Sequence, residues 1–124
     1  VRGSGIASIA DAVMERWFAP DFRATPDLAL WKSMLIRTPV DGYVAACEAL
    51  AAADLTESTR ALRLPTLVIA GDQDGASPAD LVEATGRLIP GARFTCLSGA
   101  GHLPPVEQPA AFAAALRDFL KELP

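Results

Sequence analysis

Residues 66–70, Thr66-Leu67-Val68-Ile69-Ala70, form an unbroken β-branched and apolar run with no polar alternation. Such a run reads as a strand covered on both faces, the pattern of a parallel sheet flanked by helices. A strand of that kind needs neighbouring strands for its backbone N–H and C=O groups, and helices above and below. One other segment reads as a strand, Arg93-Phe94-Thr95-Cys96-Leu97. Two parallel strands cannot cover both faces of the first run and also pair their own outer edges. The sequence therefore predicts that the sheet continues in polypeptide outside these 124 residues. The expected state is a piece of a larger fold.

The remaining elements fall on either side of Leu64-Pro65. Upstream, Ile6, Ile9, Ala10, Val13, Met14, Trp17 and Phe18 recur at helical spacing until Pro20, where the run is expected to stop. Thr25-Pro26-Asp27 and Thr38-Pro39-Val40-Asp41 read as two further helix starts, with a hydroxyl cap and a proline in the first turn. A weaker helix is expected over residues 57–62. Downstream the order is strand, helix, strand, helix: Ser77-Pro78-Ala79-Asp80 opens the first helix as a capping box, and Pro109 opens the second, with Phe112, Leu116, Phe119 and Leu120 on one side. The predicted class is α/β, with a helical layer over residues 1–62 and sheet-forming polypeptide over residues 63–124.

Composition narrows the function classes. Eleven Lys and Arg against fifteen Asp and Glu leave a net charge of −4 with no basic cluster, which excludes nucleic acid as a partner. No apolar run approaches the ~20 residues that span a bilayer, so no membrane partner is expected and the expected compartment is cytoplasmic. Cys47 and Cys96 are too few for a disulfide scaffold or zinc cluster and read as small buried apolar residues. Met14 and Met34 read as core. His102 is the only histidine, which excludes a multi-histidine metal site. Asp72-x-Asp74 with Glu83 at the twelfth position imitates a calcium loop, but Ser77 stands where glycine is required and Ala76 cannot ligate. Neither a metal nor an organic cofactor is expected.

The chemistry-bearing residues stand at the strand ends. Gly71-Asp72-Gln73-Asp74 follows the first strand, and Ser98-Gly99-Ala100-Gly101-His102 follows the second. Loops beyond the carboxyl ends of parallel strands face one crevice. An acid that orients a histidine, which deprotonates a nucleophile, needs that arrangement. Asp72 and Asp74 are both candidates for the acid. Acid before histidine also fits the chain order of hydrolases that carry their serine on a nucleophile elbow.

At these residues the sequence resembles the α/β-hydrolase family, and more narrowly the 3-oxoadipate enol-lactonases. The broad resemblance rests on Pro65-Thr66-Leu67-Val68-Ile69-Ala70-Gly71, an acid three residues after that glycine, and Gly101-His102 followed by Glu107-Gln108-Pro109. The narrower one rests on Ile9-Ala10-Asp11-Ala12-Val13-Met14-Glu15-Arg16-Trp17-Phe18 and on Thr38-Pro39 with Gly42-Tyr43, which look like that group's lid. The resemblance implies Asp74 as the triad acid and His102 as the general base, and Asp72 then reads as a residue that holds the turn. It implies Trp17 as a wall of the substrate pocket, beside the ordinary reading of Trp17 and Trp31 as packing residues. Pro104-Pro105 after the histidine departs from the more polar residues expected there. Arg16 or Arg37 is a candidate partner for a substrate carboxylate, and Glu107 reads as a negative charge opening the last helix.

The sequence carries no Gly-x-Ser-x-Gly elbow, since neither Gly3-Ser4-Gly5 nor Ser98-Gly99 has the spacing. The resemblance places the nucleophilic serine and the oxyanion donors upstream. The expected function is part of a serine hydrolase opening a lactone or ester, 3-oxoadipate enol-lactone by resemblance, with the upstream half as the expected partner. The alternatives are another hydrolase chemistry on the same triad (esterase, haloperoxidase-like or C–C hydrolase), or a non-catalytic domain or fragment that associates through its open sheet edge.

Overall fold

The computed structural model describes residues 1–123. A 3-10 turn over Ile6–Ile9 leads into α1 (Ala10–Trp17). Ile6, Ala10, Met14 and Phe18 recur every fourth residue, so they share one face, and all are buried together with Leu35. Phe18 sits at the centre of this cluster, stacked on Phe22 at 4.8 Å between ring centroids and 6.1 Å from Trp31.

Pro20 does not end the run. The break falls at Phe18, whose backbone is extended, and Pro20 is the first residue of α2 (Pro20–Arg23), where its missing N–H is not needed. Next come α3 (Leu28–Ile36), α4 (Val40–Ala52) and α5 (Thr56–Arg60). The expected hydroxyl caps do not form. Thr25 Oγ1 donates back to the Phe22 carbonyl, and Thr38 Oγ1 to that of Met34.

The second half contains β1 (Leu67–Gly71), α6 (Ala79–Arg87), β2 (Arg93–Leu97), α7 (Pro104–Glu107) and α8 (Pro109–Lys121). The strands are parallel, in register from Leu67↔Arg93 to Gly71↔Leu97, with α6 as the crossover that parallel pairing requires. β1 is displaced by one residue from its expected span, because the ladder begins opposite Arg93. The α6 capping box is absent too: Pro78 precedes the helix in extended conformation, and the Ser77 N–H is taken by Asp74.

Alternation along the strands gives each face a helix. Val68 packs against Gly86 of α6, where an added Cβ would lie 3.2 Å from Val68 Cγ2. Arg93, on the other face of β2, lies over the Phe119 ring of α8 and pairs with Glu122. Among the described residues no third strand joins the pair, and Leu67, Val68 and Ile69 are only half-buried.

Three expectations about burial fail. Cys47, Cys96 and Met34 are exposed: no element covers the outer faces of α3 and α4 among the described residues, and α6, on the Cys96 side of β2, leaves that thiol open. Leu30, Leu50, Leu64 and Leu81 are exposed with Met34. No helix among the described residues is long and apolar enough to cross a membrane.

Candidate active site

Gly71 ends β1 and Leu97 ends β2, so the two following loops leave the sheet side by side. The loops are stitched at once: Asp72 N–H donates to the Leu97 carbonyl at 3.1 Å and Gln73 N–H to the Ala100 carbonyl at 2.9 Å. The approach is so close that a Cβ on Gly71 would lie 2.2 Å from the Ala100 oxygen, and only glycine fits there.

Asp74 and His102 meet across this seam. His102 Nδ1 lies 2.8 Å from Asp74 Oδ2. The other carboxylate oxygen, Oδ1, accepts the N–H groups of Ala76 at 2.7 Å and Ser77 at 2.9 Å. An aspartate so held accepts only, so Nδ1 is the donor of this pair, and the neutral ring has its lone pair at Nε2. The Asp74 side chain is 6% exposed, whereas the imidazole is 35% exposed. The carboxylate is buried and fixed, and the base faces outward. Both residues border a depression of about 210 Å³ that also touches Ala70, Ser77, Val82 and Pro104.

Asp72, the other acidic candidate, points elsewhere. Its Oδ1 accepts Gly99 N–H at 2.8 Å and its Oδ2 accepts the Ser98 hydroxyl at 3.0 Å, which pins the turn after β2. Trp17 lies against the imidazole, with ring centroids 5.9 Å apart and planes 29° from parallel. Its carbonyl accepts the His102 N–H at 2.6 Å. Arg16 Nε reaches the Gly75 carbonyl at 3.4 Å, and Arg37 is exposed at the C-terminal end of α3.

Glu107 departs from its expected place. It ends α7 instead of opening the last helix, and its carboxylate turns back onto the loop before it, accepting Gly101 N–H at 2.9 Å. The signal available in the sequence was its fixed offset after Gly101-His102; the partners of its second oxygen belong to a distant part of the chain. Among the described residues no group of three or more His, Cys, Asp or Glu side chains converges as a metal site would require.

A buried acid that orients an outward-facing imidazole can take a proton from a hydroxyl set beside Nε2 and return it to a leaving group. Residues 2–115 match the sequence model of the alpha/beta hydrolase family. The chain is similar to 3-oxoadipate enol-lactonase 1 of Acinetobacter baylyi, 33% identical over 125 residues, which cover 99% of this chain and 47% of that protein. Enol-lactonase 2 of the same organism is 34% identical over 98% of this chain and 46% of its own length. Among solved structures, the enol-lactonase from Burkholderia xenovorans LB400 aligns with a TM-score of 0.90 and 36% identity, over 98% of this chain and 47% of that one. A thermophilic esterase from Thermogutta terrifontis aligns with a TM-score of 0.88 and 36% identity, over 98% and 46%. This chain thus spans about half the length of the curated relatives it matches.

Proposed function

The chain belongs to the alpha/beta hydrolase family, and on that footing we propose that Asp74 and His102 are the acid and base of a Ser-His-Asp triad that opens 3-oxoadipate enol-lactone to 3-oxoadipate. The observation that carries the proposal is the 2.8 Å pairing of a buried, doubly held carboxylate with an outward-facing imidazole at the ends of neighbouring parallel strands. The enol-lactonase relatives support the choice of substrate.

In this reading the serine comes from the upstream half of the hydrolase, which is the partner of this chain. His102 Nε2 takes the serine proton as the hydroxyl oxygen attacks the lactone carbonyl. The ring C–O bond breaks, the enolate oxygen leaves, and the imidazolium returns the proton; the released enol tautomerises to the ketone. His102 then deprotonates water, whose oxygen attacks the acyl carbonyl; the C–O bond to the serine breaks, the imidazolium returns the proton to the serine oxygen, and the carboxylate leaves. Asp74 keeps the proton on Nδ1 and stabilises the imidazolium. No metal or organic cofactor takes part in this chemistry. Residues 1–62 act as the lid, with Trp17 walling the pocket beside the imidazole, and residues 63–124 are the C-terminal part of the core. Aromatic catabolism through the β-ketoadipate pathway and a cytoplasmic location belong to the same proposal.

A second reading, a general carboxylic-ester hydrolase, is favoured by the similarity to the Thermogutta terrifontis esterase. One experiment addresses both. The chain is fused to, or mixed with, a serine-bearing upstream segment and assayed against enol-lactones and simple esters. Hydrolysis that vanishes with His102→Ala supports the triad, and the preferred substrate separates the readings. Unchanged activity in His102→Ala would defeat both.

A further inference from the structure

The helical layer is tied to the Asp74 and His102 loops at three residues within 16–19. Gly75 N–H, next to Asp74, donates to the Arg16 carbonyl at 3.0 Å, and His102 N–H donates to the Trp17 carbonyl at 2.6 Å. The third tie runs through Glu107. Its Oε2 accepts the Ala19 N–H at 2.7 Å, while Oε1 accepts Gly101 N–H at 2.9 Å and Leu103 N–H at 3.4 Å. One side chain therefore holds the residues on both sides of His102 and joins them to the turn between α1 and α2.

The chemistry of this tie demands a carboxylate. Donors face both oxygens, so a neutral amide of the same shape would present its NH2 to another N–H. Among the described residues no Lys or Arg pairs with Glu107; its hydrogen-bond partners are all backbone N–H groups, and bonds to a charged acceptor are stronger than neutral ones. The surroundings leave the loop no slack. A Cβ on Gly101 would lie 2.3 Å from the Trp17 oxygen and 3.0 Å from Glu107 Oε1.

We infer that Glu107 is a positioning residue that locks the His102 loop onto the turn after α1, so that the aim of the imidazole depends on the helical layer. The inference rests on the reading of Asp74 and His102 as the acid–base pair. It makes residues 16–19 a fixed wall of the site, so lid movement is confined to the helices beyond them.

The test uses the chain itself. In Glu107→Gln, the downfield Nδ1 proton signal of His102 broadens or disappears. Amide exchange at Gly101 and Leu103 accelerates on the order of tenfold, the opening expected when one charge-assisted bond is lost. Glu83→Gln, which breaks only the outer Arg87 pair on α6, leaves both signals as they are. In the hydrolase completed with its serine segment, Glu107→Gln lowers kcat on the order of 10–100-fold while KM changes little, the pattern of a displaced catalytic group. A wild-type Nδ1 signal and wild-type kcat in a variant that merely melts earlier would overturn the inference. Should Glu107→Gln fail to fold, ligation at Cys47 gives a chain whose Ala19 amide is an ester, deleting the single donor to Oε2; unchanged signals there also overturn it. A completed wild-type enzyme without activity, whose Nδ1 signal still depends on Glu107, sinks the triad and leaves the tie standing.

Discussion

Asp74 controls which imidazole nitrogen carries the proton, and Asp74→Asn exposes that control. Oδ1 must stay an acceptor, because the Ala76 and Ser77 N–H groups point at it. The asparagine NH2 is therefore turned toward His102 Nδ1, which has to offer its lone pair, and the proton moves to Nε2. The base is then capped at the atom that should accept the serine proton. The expected result in the completed hydrolase is a kcat loss on the order of 10⁴-fold with the melting temperature nearly unchanged. Nitrogen chemical shifts of His102 in the isolated chain report the tautomer change directly; a wild-type tautomer in Asp74→Asn would contradict the role. Cys96 gives a second prediction at this scale. Although Cys96 is exposed, the slight desolvation its thiol meets beside the sheet, then the negative charges of Asp72 and Glu83, push its pKa above the ordinary 9.0. Iodoacetamide at pH 8 should label it more slowly in the folded chain than in urea, read by mass spectrometry. Because the folded thiol holds its proton more tightly, its contribution to stability is complete below pH 9 and is lost as pH rises through the folded value. The pairing of Asp74 with His102 was legible in the sequence, because strand-end loops converge and family spacing selects the second aspartate. The reach of Glu107 was not, since a carboxylate two residues before Pro109 looks like an ordinary helix-opening charge, and nothing local announces that Ala19 returns to it.

Elements were legible where one physical preference dominated. The β-branched run could only be a strand, and its one-residue shift came from pairing with Arg93, a long-range fact. Helix starts at Thr25 and Thr38 were marked by their prolines, but not the fate of the hydroxyls, because nearby carbonyls compete for them. The α3 stripe predicts Met34 as core, yet Met34 is exposed, because periodicity says which residues share a face and not what covers it. Two glycine substitutions separate element propensity from close approach. Gly42 lies in α4 with nothing within 4 Å of an added Cβ, so Gly42→Ala should stabilise the fold by roughly 0.5–1 kcal/mol. Gly71→Ala should instead cost about 1–3 kcal/mol, because its Cβ collides with backbone carbonyls of the His102 loop, 2.2 and 2.3 Å away. Urea unfolding measures both. Equal effects would mean that the β1–β2 seam is looser than its distances imply.

The whole molecule has more surface than its mass warrants. A compact 13.0 kDa monomer exposes roughly 6,300 Å², whereas this chain exposes 7880 Å². The excess of about 1,500 Å² on one partner is the scale of an obligate interface. Its location agrees with its size. Among the described residues the two-stranded sheet has open backbone edges, Leu67, Val68 and Ile69 are half-buried, and Leu30, Met34, Leu50, Leu64 and Leu81 face outward. A strand pair of this length gains too little from its own ladder to offset unpaired edges. The run at residues 66–70 foretold that shortfall, since a strand apolar on both faces demands more cover than the sequence supplies. Alone, the chain should therefore associate with itself as its concentration rises, read by sedimentation velocity. A serine-bearing upstream segment should displace that association, form a one-to-one complex and raise the melting temperature. Mass action sets the scale: about 2.7 kcal/mol when the segment stands at 100 times its Kd. Hydrolysis should appear with the complex and in proportion to it. A chain that stays monomeric at every concentration, unfolds cooperatively and ignores the segment would mean that its open edges and apolar faces are tolerated as they stand, and the companion would have no physical reason to bind.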